Sequence, residues 1–150
     1  MESQYSYHAN AQFHQHDRSF VAIEQGVPRL IHFSAPAEFG GEPGVWTPEQ
    51  FFLASVGSCF IETFKAVAKP SKLDFQGIEV SVDGIIEKEP GGWRFTNIII
   101  HPTLIIFNDE SHELGQRVMA KTERNCLVVR SLAARVEVDS KILVETLTSA

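Results

Sequence analysis

Two cysteines, Cys59 and Cys126, are the residues of this chain whose type and placement could do redox chemistry. They lie far apart in the sequence, each within a stretch of helical character. A cysteine thiolate can attack the terminal oxygen of a peroxide, which yields a sulfenic acid and an alcohol. A second thiol can then condense with the sulfenic acid to form a disulfide. Because Glu49 lies at the start of the helix that carries Cys59, the three residues could form a peroxide-reducing site.

The same cysteines allow two other interpretations. Free cysteine is among the most buried residue types, so composition alone favours an inert role in the core. A structural zinc site needs about four close-spaced ligands, and the sequence has no Cys-x-x-Cys or His-x-x-x-His motif. His14 and His16 are a close pair but supply only two ligands, which predicts surface or interface residues. No metal or organic cofactor is therefore expected.

The composition is that of an ordinary globular protein. The 150 residues suit one domain spanning 1–150, with 43% hydrophobic and 21% charged residues. A net charge of −6 argues against a nucleic-acid partner, because such surfaces need clustered lysine and arginine. No apolar run reaches the roughly 18 to 20 residues that cross a bilayer, so no membrane partner is expected. The N-terminal residues lack the pattern of a signal peptide, which predicts a cytoplasmic location.

The first third of the chain predicts strands followed by a helix. Segments 5–13, 19–23 and 29–33 read as strands, and a Gly/Pro-rich loop covers 35–45.

The first long helix is predicted to begin at Thr47, a good N-cap. Pro48 suits the first helical position, and Gln50 completes a capping-box pattern. The helix should run to about Lys69, where Pro70 stops it. Its middle is apolar on almost every side, which predicts burial, either as a central helix or between two subunits.

The remainder of the chain predicts a hairpin, a second helix and a last strand. Alternation at 78–86 and 93–101, with turn residues between them, indicates the hairpin. The second helix should start near Asn108 and break at Asn125, before Cys126. A short helical piece at 127–134 and a strand at 135–139 complete an α+β arrangement. Four phenylalanines of the first helix could line an apolar pocket, although such residues more often pack in the core or at a dimer interface. They are Phe51, Phe52, Phe60 and Phe64.

Two segments and the second cysteine together resemble the OsmC/Ohr family. Residues 34–41 read Ser-Ala-Pro-Ala-Glu-Phe-Gly-Gly, and residues 47–60 run from Thr-Pro-Glu-Gln to Gly-Ser-Cys-Phe. These segments resemble two features of the family. One is a helix start similar to Asn-Pro-Glu-Gln-Leu, and the other is an Ala-Cys-Phe sequence around the first redox cysteine. Cys126 falls where the family has its second cysteine, and the order of elements also matches. The resemblance covers about residues 26–140.

The resemblance implies both a fold and an activity. The fold would be an OsmC-like α+β intertwined homodimer, with antiparallel sheets around two long central helices. The activity would be thiol-dependent reduction of organic hydroperoxides, with Cys59 as the peroxidatic thiol and Cys126 as the resolving thiol. Glu49 would correspond to the carboxylate that holds an arginine near the thiolate. The implied partners are a second copy of the chain, an organic hydroperoxide and a dithiol reductant such as dihydrolipoamide.

The sequence departs from the family pattern at two places. The family's second cysteine is usually followed by proline, whereas this chain has Leu127. No arginine stands just before the Gly-rich loop, so Arg18 or Arg29, from the predicted N-terminal strands, would have to take the role of the active-site arginine.

An arginine matters because Cys59 lies in the middle of its helix. There the helix dipole gives it little help, so a stabilised thiolate is expected to need a cation. At about 100° per residue Glu49 does not lie directly above Cys59, which favours a role in orienting an arginine over a role as a base. Glu62, close to Cys59 on the helix, would oppose thiolate formation.

Two other functions fit the same residues. One is a non-catalytic OsmC-like dimer that binds small apolar ligands, which the missing arginine and Leu127 favour. The other is a thiol redox sensor that forms the Cys59–Cys126 disulfide without turnover.

Overall fold

The computed structural model describes residues 3–13, 15, 18–22 and 30–146. The chain divides into two compact units, residues 1–52 and 53–150, and each is described by itself. His14, His16 and Arg29 lie outside the described residues, so the sequence interpretations that involve them stay predictions. The expectation of a single domain over 1–150 also stays a prediction.

The first unit contains a small antiparallel sheet with the order β1-β2-β3. The strands are β1 (Asn10–Gln12), β2 (Phe20–Ala22) and β3 (Ile31–His32), so each predicted strand contains an observed one. After β3 the chain passes through a short 3-10 turn at Ala37–Phe39 and returns beside the sheet, where Phe33 pairs with Trp46.

Helix α1 (Pro48–Ser71) begins with the predicted capping box. The Gln50 backbone N–H donates to Thr47 Oγ1 at 3.1 Å, and the Thr47 N–H donates to Gln50 Oε1 at 3.0 Å. These bonds satisfy backbone donors that the first turn of a helix leaves free. The helix runs two residues beyond its predicted end at Lys69, because Pro70 lies in the last turn and the helix ends at Ser71.

The second unit is built on a long hairpin. Strands β4 (Gly77–Glu89) and β5 (Gly92–Ile106) pair antiparallel, which confirms the predicted hairpin. Strand β6 (Arg135–Val138) confirms the predicted last strand, but a further strand, β7 (Lys141–Val144), follows it. Both strands pair with β5 in parallel. Strand β6 pairs with Asn97–Ile100 and β7 pairs with Thr103–Ile106, so the sheet contains both antiparallel and parallel pairs.

The core of the second unit lies between this sheet and the helices. Alternate residues of β5 point into it, and α1 contributes a stripe with a four-residue repeat, as the strand and helix periods require. The fully buried side chains of these two elements include Val56, Phe60, Phe64, Ile98, Ile100, Leu104 and Ile106. A Cβ on Gly57 would lie 3.2 Å from Val82 Cγ2, so α1 packs closely on β4.

Helix α2 (His112–Asn125) follows a 3-10 turn at Asp109–Ser111, which the Asn108 side chain caps by accepting from the Glu110 N–H at 3.1 Å. The break at Asn125 is confirmed, and the short helical piece is α3 (Leu127–Arg130), shorter than predicted.

In the isolated chain, α1 buries only one of its faces. Its exposed positions include Ala54, Ser55, Ser58 and Ala66. With a mean hydropathy of 1.4 over 18 residues, α1 is long and apolar enough to cross a membrane by length and composition. The expectation that no segment reaches that length and hydropathy was therefore wrong. The core helix of a folded domain passes the same test, so this property alone does not indicate a membrane protein.

Candidate functional site

Cys59 lies in the middle of α1, next to the buried stripe but not part of it. Its neighbour Phe60 is fully buried, whereas Cys59 is partly exposed, so Cys59 lies at the edge of the core. One helical turn further on, Thr63 places its hydroxyl 3.9 Å from Cys59 Sγ. Residues four apart share one face of a helix, which is why these two side chains meet.

Cys126 lies at the junction of α2 and α3 and is fully buried. It continues the inward face of α2, because its N–H donates to the Thr122 carbonyl at 3.0 Å one turn earlier. Its backbone is extended (φ −67°, ψ 109°), which turns the chain between the two helices. The start of α3 and the thiol of Cys126 lie close enough to Cys59 to lower its pKa.

The pKa of Cys59 lies below its ordinary value. Burial raises this pKa, but hydrogen bonds to the sulfur outweigh that effect because they stabilise the thiolate. The strongest comes from the Val128 backbone, followed by those from the Cys126 thiol, the Thr63 hydroxyl and the Leu127 backbone. All of these donors are neutral. Among the described residues the groups that lower this pKa are uncharged donors, and the expected contribution of an arginine stays a prediction.

The pKa of Cys126 is raised above its ordinary value. Burial is the main cause, because a thiolate loses water contacts in an apolar setting. A backbone hydrogen bond from Val129 opposes the effect, whereas the Cys59 sulfur adds to it through a hydrogen bond and through charge repulsion. The pKa values of the two thiols are therefore displaced in opposite directions.

Glu62 does not act as a bare charge beside Cys59. Both of its carboxylate oxygens lie 3.1 Å from Lys65 Nζ, and its side chain is 70% exposed. Solvent and the lysine together screen its charge, so the opposition to the Cys59 thiolate expected from Glu62 is weak.

Glu49 lies in the first turn of α1, where the helix N-terminus favours a carboxylate. Nearby, Trp46 stacks on Phe51 with ring centroids 5.4 Å apart, and Phe33 meets the same ring edge-on at 6.1 Å. Among the described residues, Glu49 Oε2 is buried without a hydrogen-bond partner. Because a buried carboxylate oxygen ordinarily finds a donor, this atom is a candidate to receive one from elsewhere.

Arg18 makes an ion pair with Glu42, with Nη2 3.4 Å from Oε1. Both side chains are about half exposed. The carboxylate in this pair is thus not that of Glu49, and the roles assigned to Arg18 and Glu49 stay predictions. Of the predicted site residues, the structure brings together Cys59 and Cys126.

Sequence reasoning missed three groups that lower the pKa of Cys59, the Thr63 hydroxyl and the backbones of Leu127 and Val128. The first could have been found from its spacing, four residues after Cys59 on the same helix. The second was visible as a leucine in place of the family's proline, because proline has no N–H to donate.

Two of the aromatic candidates lie in the core. Phe60 and Phe64 are fully buried in the core, and Phe64 packs edge-on against Phe75 at 5.1 Å, so core packing accounts for both. Within the described ranges, no group of three or more His, Cys, Asp or Glu residues is arranged to hold a metal ion.

The comparisons with known proteins cover nearly all of this architecture. The family model for OsmC-like protein matches residues 41–141. The uncharacterized protein YmaD of Bacillus subtilis (strain 168) is 26% identical over 125 residues, which are 81% of this chain and 83% of that protein.

Solved structures share the fold at low sequence identity. An organic hydroperoxide resistance protein OsmC from Legionella pneumophila has a TM-score of 0.73 at 23% identity, over 95% of this chain and 100% of that one. An OsmC-like protein of unknown function from Vibrio cholerae has a TM-score of 0.79 at 15% identity, over 91% of this chain and 99% of that one. At these identities the likeness shows the α+β fold, and the family match over most of the chain shows that this protein belongs to the OsmC-like family.

Proposed function

We propose that this protein is a thiol-dependent peroxidase that reduces organic hydroperoxides to alcohols through Cys59 and Cys126. The observation that carries the proposal is the contact between two thiols whose pKa values are displaced in opposite directions. A peroxidatic nucleophile must be ionised and accessible, whereas a resolving thiol must lie beside it and loses its proton when it attacks the sulfenic acid. Membership of the OsmC-like family, some of whose relatives in fold are named for hydroperoxide resistance, supports a redox role.

The chemistry follows from these two protonation states. The Cys59 thiolate attacks the terminal oxygen of ROOH, the O–O bond breaks, and the departing RO⁻ takes a proton to become ROH. The sulfur is oxidised by two electrons to a sulfenic acid. The Cys126 thiol then attacks that sulfur, so a disulfide forms and water leaves. An external dithiol, such as dihydrolipoamide, reduces the disulfide by exchange and returns both thiols to the starting state.

We assign Glu49 the role of holding an arginine against the departing oxygen, with Arg18 as the first candidate and Arg29 as the second. A carboxylate can fix the plane of a guanidinium, which then stabilises developing negative charge. The Arg18→Ala and Glu42→Ala variants test this. A role confined to their ion pair makes both variants alike, whereas a role in the reaction slows turnover in Arg18→Ala only.

We also propose that the working form is a homodimer. Members of the family are typically dimeric, and the apolar helix α1 leaves much of its surface exposed in the isolated chain. Sedimentation of the purified protein tests this directly, and a monomer at micromolar concentration would exclude it.

The deciding experiment compares turnover of cumene hydroperoxide and hydrogen peroxide with dihydrolipoamide as reductant. We expect fast consumption of the organic peroxide and slower consumption of hydrogen peroxide. If neither is consumed and both thiols remain reduced, the peroxidase proposal fails.

A second candidate is a non-catalytic OsmC-like dimer that binds small apolar ligands. It is favoured by the pairing of Arg18 with Glu42 and by the buried Glu49 oxygen that has no partner among the described residues. Equal and slow alkylation of both cysteines at neutral pH would support this candidate over the enzyme.

A redox sensor would instead form the disulfide with peroxide but would not be recycled by lipoyl-type dithiols.

A further inference from the structure

Gly57 lies in the interior of α1, two residues before Cys59. A glycine at such a position lowers helix stability relative to alanine, so its presence calls for a packing reason. It is buried, and a Cβ in its place would lie 3.2 Å from Val82 Cγ2. Carbon atoms in contact are ordinarily about 3.5–4.0 Å apart. The missing side chain therefore leaves room for the Val82 side chain of β4.

Gly84, on β4, shows the reverse arrangement. A Cβ in its place would lie 2.7 Å from Leu53 Cδ2 of α1 and 2.5 Å from Phe95 Cε1 of β5, so both side chains occupy the space over the glycine. The backbone of Gly84 lies outside the left-handed region. The close approach of these side chains, and not the backbone angle, therefore accounts for a glycine inside this strand.

The two glycines interlock α1 with β4 in both directions. A leucine of the helix enters the gap over a glycine of the strand, and a valine of the strand enters the gap over a glycine of the helix. Leu53 and Gly57 share one face of α1 because they are four residues apart, and Val82 and Gly84 share one face of β4 because they are two apart. Two such contacts restrict both the rotation of α1 and its sliding along the strand.

Cys59 lies on the flank of the interlocked face. The next residue, Phe60, is fully buried, whereas Cys59 is partly exposed. Packed interiors transmit strain, so a shift or rotation of α1 at Gly57 carries Cys59 with it. A disulfide tolerates little displacement, because its two Cβ atoms must lie about 3.5–4.5 Å apart. The placement of α1 therefore limits how readily Cys59 can be joined to Cys126.

We propose that Gly57 and Gly84 are positioning residues that hold Cys59 at the height and rotation from which its sulfur reaches Cys126. The proposal deepens the peroxidase function and rests on it for the assignment of the two thiols. The Cys126 thiol is among the groups that lower the pKa of Cys59, which supports the closeness of the two side chains in this arrangement. Both glycines act through the placement of α1 and not by contact with the reacting atoms.

The first test adds one methyl group with Gly57→Ala. The measured quantity is the rate at which the Cys59–Cys126 disulfide forms after one equivalent of cumene hydroperoxide, followed by quenching and intact mass spectrometry. We expect this rate to fall about three- to tenfold, because a misplacement of 1 Å can cost about a hundredfold. Formation of the sulfenic acid should slow less than twofold, since a free hydroperoxide can follow a displaced sulfur. Equal slowing of both steps would indicate general damage and overturn the proposal.

A compensating variant separates the interlock from a general effect of alanine. Val82→Ala removes the methyl group that the new Cβ would meet, and the next atoms are those of Val80 at 3.7 Å and 3.9 Å, which is ordinary contact. We expect the double variant Gly57→Ala/Val82→Ala to form the disulfide within about twofold of the native rate. Val82→Ala alone completes the double-mutant cycle. A double variant as slow as Gly57→Ala would overturn the proposal.

A matched control makes the same exchange in the other long helix. Gly115 of α2 is also buried, and a Cβ in its place would lie 3.0 Å from Leu104 Cδ2 and 3.5 Å from Ile142 Cδ1. Gly115→Ala therefore imposes a similar strain against the same sheet, about three helical turns before Cys126. We expect it to change stability and to leave the disulfide rate in place. A loss of rate equal to that of Gly57→Ala would overturn the proposal.

The role of Gly84 is tested from the helix side, because a methyl group at Gly84 would meet the ring of Phe95 and could prevent folding. Leu53→Ala instead empties the gap over Gly84 without a clash. We expect this variant to be less stable and to form the disulfide about three- to tenfold more slowly. A native disulfide rate in Leu53→Ala would remove Gly84 from the proposal.

These outcomes are separable from failure of the peroxidase function. Diamide oxidises two neighbouring thiols to a disulfide by accepting their two hydrogen atoms, so it reports the placement of Cys59 and Cys126 without any peroxidase step. With diamide the same order of rates is expected, with Gly57→Ala slow and the native protein, the double variant and Gly115→Ala fast. Equal rates in all four proteins would overturn the proposal, and so would the absence of the disulfide in the native protein.

Discussion

The middle of α1 and the junction between α2 and α3 each hold one cysteine, yet they treat the thiol in opposite ways. At the middle of α1, Cys59 keeps some solvent access, and neutral donors from two elements converge on its sulfur. At the junction, Cys126 is fully buried, and burial is the main cause of its raised pKa. The difference shows that the surroundings, and not the residue type, set the direction in which the pKa of each thiol is displaced.

The largest expected effect comes from removing the thiol at the middle of α1. Cys59→Ser should lower peroxide consumption on the order of a thousandfold or more, because a serine hydroxyl is not ionised near neutral pH and is a poor nucleophile. Steady-state turnover of cumene hydroperoxide with dihydrolipoamide measures this. Retained activity would mean that the middle of α1 is not the reacting site, and the comparison would lose its basis.

Replacing Cys126 at the junction between α2 and α3 should separate the reduction of peroxide from the formation of the disulfide. In Cys126→Ser the first equivalent of peroxide should still be reduced, because Cys59 keeps its backbone donors and Thr63. The sulfenic acid should then persist, since no thiol lies beside it to form the disulfide. Single-turnover kinetics and intact mass spectrometry distinguish the two steps. A disulfide that forms at the native rate in this variant would show that another thiol resolves Cys59.

A smaller effect is expected when the two regions are left intact and Glu49 is changed. Glu49→Gln should slow turnover by about ten- to a hundredfold, because an arginine would lose a charge-assisted bond of about 1.5–3 kcal/mol. The pH midpoint of Cys59 alkylation should not move, since the proposed arginine acts on the departing oxygen. A shifted midpoint together with slower turnover would show instead that an arginine also supports the thiolate.

The pH dependence of the two thiols tests the comparison directly. Since the pKa of Cys59 is lowered and that of Cys126 is raised, a rise in pH from acid should ionise Cys59 first. Alkylation of Cys59 should therefore rise at lower pH than alkylation of Cys126, and turnover should fall as the pH drops through the Cys59 pKa. Residue-resolved alkylation by mass spectrometry gives both curves. Coincident curves would show that the two regions do not differ in the way the structure indicates.

Patterns local in sequence predicted the fold well, and contacts between distant elements account for what was missed. The capping box at Thr47 and Gln50, the long hairpin and the break at Asn125 follow from residues a few positions apart. Strand β7 was missed because its pairing partner, β5, lies far earlier in the chain. The α3 backbone groups that lower the pKa of Cys59 were missed for the same reason, because a sequence does not show that the start of α3 reaches the middle of α1, whereas Thr63 was detectable from its spacing.

The smallest effect should come from weakening α1 without touching either thiol. Thr47→Ala removes the hydroxyl that accepts from the Gln50 N–H at 3.1 Å, and the loss of such a cap costs about 0.5–2 kcal/mol of stability. Chemical denaturation should show this loss, whereas Thr47→Ser, which keeps the hydroxyl, should be nearly unchanged. The Cys59 alkylation midpoint should stay at its native value in both variants, because the donors that set it lie on later residues of α1 and on α3. If the midpoint rose in Thr47→Ala alone, the stability of the helix, and not the donors around the sulfur, would control the thiolate.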